Sequence, residues 1–181
     1  MKLALVIGHG PKIDEGAESA DGKTTELAWN RDFASRIARC MIRGPVECMV
    51  IHRRIERVQP VREVNASKAD FCVELHCNAY DGRASGTEMI YHAGSARGIA
   101  LATRLCKATV QVLQLPDRGV KTPQAGGRGG ALLRGTLCPT VIAEPFFIDN
   151  DDDLDVANEC KDALAMRFAD VFHDFAMSIC P

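Results

Sequence analysis

The stretch LALVIGHGPKIDEGA, residues 3 to 17, decides the fold. Its first five residues are all apolar and stop at a glycine, the pattern of a short strand buried on both faces. A histidine between two glycines follows at once. His9 falls two residues past the strand, on a turn where glycine's backbone freedom lets a side chain be aimed over the edge of a sheet. Read alone, His9 is either a hydrogen-bonded structural residue or a ligand, and GHG does not match the GxGxxG phosphate-binding pattern.

Working outward, Val46 to Ile51, Phe71 to Leu75 and Thr140 to Ala143 repeat the signature: short, apolar, and bounded by Gly, Pro or charge. Helical patterns lie between these strands. In ELAWNRDFASRIARCM, residues 26 to 41, Trp29, Phe33, Ile37, Cys40 and Met41 recur at helical spacing until Gly44-Pro45 stops the run. A similar stripe runs through residues 95 to 113. A last helical segment opens with DNDDDLD, residues 149 to 155, and continues through Leu164, Phe168, Val171, Phe172 and Phe175. Its acids read as a helix N-terminus rather than a calcium site. Strands alternating with helices predict an α/β fold: one domain over residues 1–181, with a mostly parallel twisted sheet and helices on both faces. Ligands then gather beyond the carboxyl ends of the strands. The glycine-rich KTPQAGGRGGALLRG, residues 121 to 135, lacks the GxxxxGK[ST] phosphate cradle and reads as a mobile surface loop entering a short strand at Ala131 to Arg134.

The chain's 181 residues suit a single core that buries roughly 70% of the unfolded surface. Twenty-two Lys and Arg against 24 Asp and Glu leave a net charge of -2, which predicts no nucleic-acid partner. The basic run HRRIER, residues 52 to 57, reads as a solvated helix or loop face. No apolar run approaches the roughly 20 residues of a membrane span, and LALVIG is too short for a signal peptide, so a cytoplasmic product without membrane insertion is expected. The eight cysteines are scattered without CxxC spacing, which predicts reduced, mostly buried thiols.

Three further residues join His9. His76 ends the strand FCVEL at the same carboxyl edge. Glu26 opens the first long helix behind the caps Thr24 and Thr25, where its carboxylate can turn back toward that edge, although a solvent-facing first-turn acid is the plainer reading of Glu26 alone. Two neutral imidazoles and one carboxylate, with a position left open for water, make the three-ligand pattern of a catalytic zinc site. Glu144 ends the strand TVIAE beside Pro145 and the Phe146-Phe147 pair. Partial desolvation there would raise its pKa toward that of a general base; a salt-bridged edge residue is the alternative.

The ordered blocks GHGPKIDEGA, TTELAWN, ADFCVELHCNAYDGRASGTEMIYH, DRGVKT and TVIAEPFFIDNDDD span nearly the whole chain. In them the sequence resembles the zinc-dependent N-acetylmuramoyl-L-alanine amidases, a family that includes sporulation, autolytic and bacteriophage lysins. The resemblance implies a phosphorylase/hydrolase-like fold, Zn2+ as cofactor, metal ligands at His9, Glu26 and His76, and a catalytic glutamate at Glu144. It further implies peptidoglycan as substrate, cut between N-acetylmuramic acid and L-alanine, and a bare catalytic domain such as a phage endolysin released through a holin, a host enzyme for cytoplasmic cell-wall fragments being expected to look the same. Rival expectations are a zinc peptidase acting within the stem peptide and a non-catalytic peptidoglycan-binding module. Two positions depart from the family. Pro11 stands where a glycine is usual, and Glu74 stands where a small residue such as serine is common. By strand alternation Glu74 shares a face with His76, as a partner in the site or as a structural pair with Arg83 or Lys68. His52, His92 and His173 are left outside the site, His173 as packing and His92 as a strand end that at most borders the groove.

Overall fold

The computed structural model describes residues 1–11, 14–54, 59–123 and 130–180. In chain order the elements are β1 (Lys2–Ile7), α1 (Glu26–Met41), β2 (Glu47–His52), α2 (Gln59–Ser67), β3 (Phe71–Leu75), β4 (Thr87–Tyr91), α3 (Ala96–Leu113), β5 (Asp117–Lys121), α4 (Gly130–Gly135), β6 (Thr140–Glu144), α5 (Asp151–Glu159) and α6 (Lys161–Ile179). The six strands form one sheet in the order β2-β1-β3-β6-β4-β5. All neighbours run parallel except β4 and β6, so β4 and β5 oppose the rest.

Strand alternation assigns each side chain a face. Leu3, Leu5 and Ile7 of β1 and Phe71, Val73 and Leu75 of β3 enter the larger core under α1, α3 and α6. Ala4, Val6 and Cys72 turn to the other face, where α2 and α4 supply Val64 and Leu132. Glu74 and Glu144 belong to this thinner side by register, next to Ile142. The larger core is aromatic: Trp29 packs against Phe33 and Phe146 at centroid separations of 4.9 and 4.7 Å, and Phe168 meets Phe33 and Phe172. Thr25 caps α1 by accepting from Ala28 N, as the sequence predicts. Among the described residues no helix is long and apolar enough to cross a membrane.

Several local expectations are corrected. Ala131 to Arg134 is helical, within α4, not a strand. Ala, Leu, Leu and Arg are strong helix formers without β-branching, and as a helix the segment packs Leu132 and Leu133 against α2 and β6. The rest of the glycine-rich loop, 124–129, lies outside the described residues. The last segment is two helices, because the chain leaves helical geometry at Cys160 (φ -93°, ψ 3°). Three cysteines are buried, three half-buried and two exposed, and all eight are free, so the thiols are reduced but not mostly buried. The run HRRIER is not a uniform solvated face: His52 closes β2, Arg53 is half-buried, and residues 55–57 lie outside the described set.

Candidate functional site

The carboxyl ends of β1, β3 and β6 lie side by side, and the backbone beyond them is pinned. Gly8 N donates to Leu75 O, His76 N to Ala143 O, and Asn78 N to Phe146 O. These bonds place the residues that follow the strands on one rim. From α1, Glu26 enters almost fully buried, 3% exposed, because its helix starts under that rim. Its Oε1 accepts from Cys77 N and lies 2.8 Å from His76 Nδ1; its Oε2 accepts from Ala17 N and lies 3.2 Å from His9 Nε2. The two imidazoles meet edge to face at 5.0 Å.

The two glycines flanking His9 act through space rather than through backbone freedom. Neither Gly8 nor Gly10 has a positive φ. A Cβ on Gly8 would lie 2.2 Å from the His76 ring, and one on Gly10 would lie 2.2 Å from the Arg53 carbonyl oxygen. Gly16 does require the left-handed region, at φ 83°, and a Cβ there would meet the Glu26 carboxylate.

One donor atom from each of His9, Glu26 and His76 lies within 4.8 Å of the others. The 3.2 Å between His9 Nε2 and Glu26 Oε2 is close to the roughly 3.3 Å that separates ligands bonded at about 2.0–2.1 Å with tetrahedral angles. Electrostatics favour a cation here. Burial alone would raise the Glu26 carboxyl, but His76 and His9 reverse that and hold it well below the usual carboxylate range. Burial likewise opposes charge on His76, yet Glu74, Glu26 and Glu144 together push its pKa well above the ordinary imidazole value. The donor set thus fits a divalent metal.

Glu144 lines the same cleft, of about 970 Å3, together with Arg53, Glu74, Glu88, Lys121 and Arg134. Burial pushes its pKa up to about 8; His76 opposes this, and the neighbouring carboxylates Glu26, Glu88 and Glu74 reinforce it. Its Oε2 is buried without a hydrogen-bond partner. That is an unpaired carboxyl with a strongly perturbed pKa beside a metal-competent cluster. The sequence-predicted residues His9, Glu26, His76 and Glu144 are therefore brought to one cleft. His52 and His92 are exposed and not among its lining residues, and His173 packs against Gly44 instead.

Sequence reasoning missed three contributors. Arg53 donates from Nη2 to Glu74 Oε1 at 2.7 Å, so Glu74 pairs with Arg53 and not with Arg83 or Lys68. Glu88, paired in register with Glu144, accepts from Arg118 Nε and Lys121 Nζ at 2.9 and 2.7 Å. Asp153 is 1% exposed and accepts from Ser85 Oγ, Gly86 N and Phe147 N, tying the 85–86 turn to the chain leaving β6. The GTE triplet and the acid run carried a signal for the last two. Nothing in the HRRIER run marks Arg53.

A mostly parallel sheet with histidines and carboxylates gathered beyond its strand ends defines an α/β fold with a metal-competent site. The chain matches the family described as N-acetylmuramoyl-L-alanine amidase over residues 3–170, and it belongs to that family. An uncharacterized cell wall amidase of Bacillus anthracis is 32% identical over 95 residues, 48% of this chain and 17% of that protein. The uncharacterized protein YqiI of Bacillus subtilis (strain 168) is 32% identical over 97 residues, 52% of this chain and 45% of that protein. The matched stretch is less than half the length of either curated relative.

Among solved structures, the fold is similar to the catalytic domain of CwlV, an N-acetylmuramoyl-L-alanine amidase from Bacillus (Paenibacillus) polymyxa. The TM-score is 0.85 at 23% identity, covering 98% of this chain and 99% of that one. It is also similar to the catalytic domain of the CD27L endolysin targeting Clostridia difficile, with a TM-score of 0.80 at 24% identity over 94% and 96% of the two chains.

Proposed function

We propose that this chain, as one catalytic domain over residues 1–181, hydrolyses the amide between the lactyl group of N-acetylmuramic acid and the L-alanine of the stem peptide in bacterial peptidoglycan. His9, Glu26 and His76 hold a zinc ion, and Glu144 is the general base. The observation that carries this reading is the convergence of Glu26 on both imidazoles, one carboxylate oxygen per ring, with Glu144 unpartnered in the same cleft.

His9, Glu26 and His76 would hold the zinc ion, and bound there it would supply Lewis-acid chemistry, polarising the amide carbonyl, acidifying water and offsetting the surrounding carboxylates. Glu26 and the imidazoles position it, and two imidazoles with one carboxylate suit zinc better than harder cations. The Glu144 carboxylate takes the proton of the attacking water and delivers it to the leaving alanine nitrogen as the carbon–nitrogen bond breaks, so that alanine departs as an amine. The phenylalanine pair after Glu144 lies in the core, and β6 is hydrogen-bonded on both sides, so the carboxylate is offered from a rigid strand end.

For the setting we propose that of an endolysin, which the resemblance of the sequence blocks to bacteriophage lysins implies. Expressed in a bacterial host with a holin, the chain should clear the culture, and expressed without it should not. The activity itself is tested by digesting purified cell wall and sequencing the new amino termini. New L-alanine termini are expected. Termini from within the stem peptide would assign a peptidase, and none at all would assign a binding module.

A further inference from the structure

Glu74 sits in the interior of the sheet, fully buried on β3 between Val6 of β1 and Ile142 of β6, its partners in register. A carboxylate among apolar neighbours is costly unless each oxygen is paired. Oε1 is paired, accepting from Arg53. Oε2 has no hydrogen bond and stands 3.5 Å from His76 Nε2. Across the ring, His76 Nδ1 lies 2.8 Å from Glu26 Oε1. The imidazole is thus flanked by a carboxylate at each nitrogen, and it lies close over Gly8, where even a methyl group would collide with it.

A neutral imidazole has one proton for two nitrogens. With the proton on Nδ1, donated to Glu26, the lone pair facing the His9 and Glu26 cluster is spent. With the proton on Nε2, Nδ1 is free to bind a metal. An acceptor at Nε2 decides between the two, and Glu74 Oε2, 3.5 Å away and without another partner, is the acceptor that stands there.

We infer that Glu74, braced by Arg53, is a positioning residue: it takes the Nε2–H of His76 and leaves Nδ1 as the metal-binding atom. The inference rests on reading His9, Glu26 and His76 as the metal-holding set. A carboxylate behind a ligating histidine fixes its tautomer and orientation and strengthens it as a donor. If instead Glu74 served only to pair with Arg53 inside the fold, metal affinity would not depend on it.

The test measures the zinc dissociation constant of the metal-stripped full chain by competition with a chromophoric chelator. Three proteins are compared: the parent, Glu74→Gln, and the double variant Glu74→Leu with Arg53→Met. The double variant removes the acceptor without stranding a buried cation, and such pairs can be replaced by apolar residues without loss of folding. Glu74→Gln offers one carbonyl oxygen to two donors, Arg53 and the Nε2–H of His76, so its affinity should fall between the parent's and that of the double variant, which should bind zinc about 10- to 100-fold more weakly with its metal-free melting temperature maintained. In the zinc-loaded parent, nitrogen-15 spectra of the His76 ring should show the proton on Nε2 and the metal on Nδ1. Affinity of the double variant within about twofold of the parent, or a metal on Nε2, overturns the inference while leaving the metal site intact. A parent that binds no zinc overturns the reading of the cluster, and this inference with it.

Discussion

Glu26 Oε1 and His76 Nδ1 lie 2.8 Å apart, although 50 residues of chain separate them. The contact joins the start of α1 to the end of β3, and through Oε2 the same carboxylate reaches His9 beyond β1. Three chain segments thus converge on one carboxylate, and zinc binding should depend on all three. Purified protein should carry about one zinc per chain, and His76→Ala should lose it. Elemental analysis of the two proteins checks this; stoichiometric zinc in the variant would remove His76 from the ligand set.

Asp153 holds the turn before β4 to the exit of β6 through three accepted hydrogen bonds in a buried setting. Asp153→Ala strands three donors, so unfolding in urea should show a loss of about 3 kcal/mol or more. Asp152→Ala, at an exposed first-turn position, should cost well under that. Equal losses would mean that the acids act only on the helix dipole.

Burial would raise the Glu88 carboxyl, but Lys121 and Arg118 outweigh it and its pKa is lowered from 4.5. A depressed folded pKa contributes stability that is complete above the ordinary value and is lost as pH falls through the folded one. The parent should therefore lose stability on acidification below about 4.5 more steeply than Glu88→Gln. At neutral pH the variant should be weaker by about 1 kcal/mol, because both cationic partners are partly exposed. Melting curves between pH 3 and 7 decide it; parallel pH profiles would dismiss the pair.

All eight thiols are free, and burial pushes those of Cys72, Cys77 and Cys106 up, Cys106 to about 12. They should be unreactive in the folded protein. Thiol titration should count close to eight in denatured, unreduced protein, and far fewer reacting quickly in native protein. A near-zero count after denaturation would require disulfides that the fold does not contain.

The strands β1, β2, β3 and β6 were legible because each is an apolar run with sharp borders, and with them came the rim that His9, His76 and Glu144 share. β5 was not. DRGVK has no apolar pattern, and it is a strand because it is an edge that β4 pairs with and Lys121 anchors to Glu88. ALLR was misread because a run of only three apolar residues, Ala131 to Leu133, has no period to distinguish helix from strand. The Arg53 to Glu74 contact bridges the end of β2 and the interior of β3, a relation set by sheet order that no local pattern carries.

We propose a division of labour in the cleft: three residues hold the metal and Glu144 moves the proton. The measurement is the rate of cell-wall clearing by zinc-loaded Glu144→Gln, with zinc content determined on the same sample. A positioned general base contributes about 10² to 10⁴ in rate, roughly 3 to 5.5 kcal/mol of barrier, so the variant should clear wall at least about a hundredfold more slowly while keeping the parent's zinc. Clearing within about tenfold of the parent would contradict the role of Glu144 as base, and loss of zinc together with activity would make it a ligand instead.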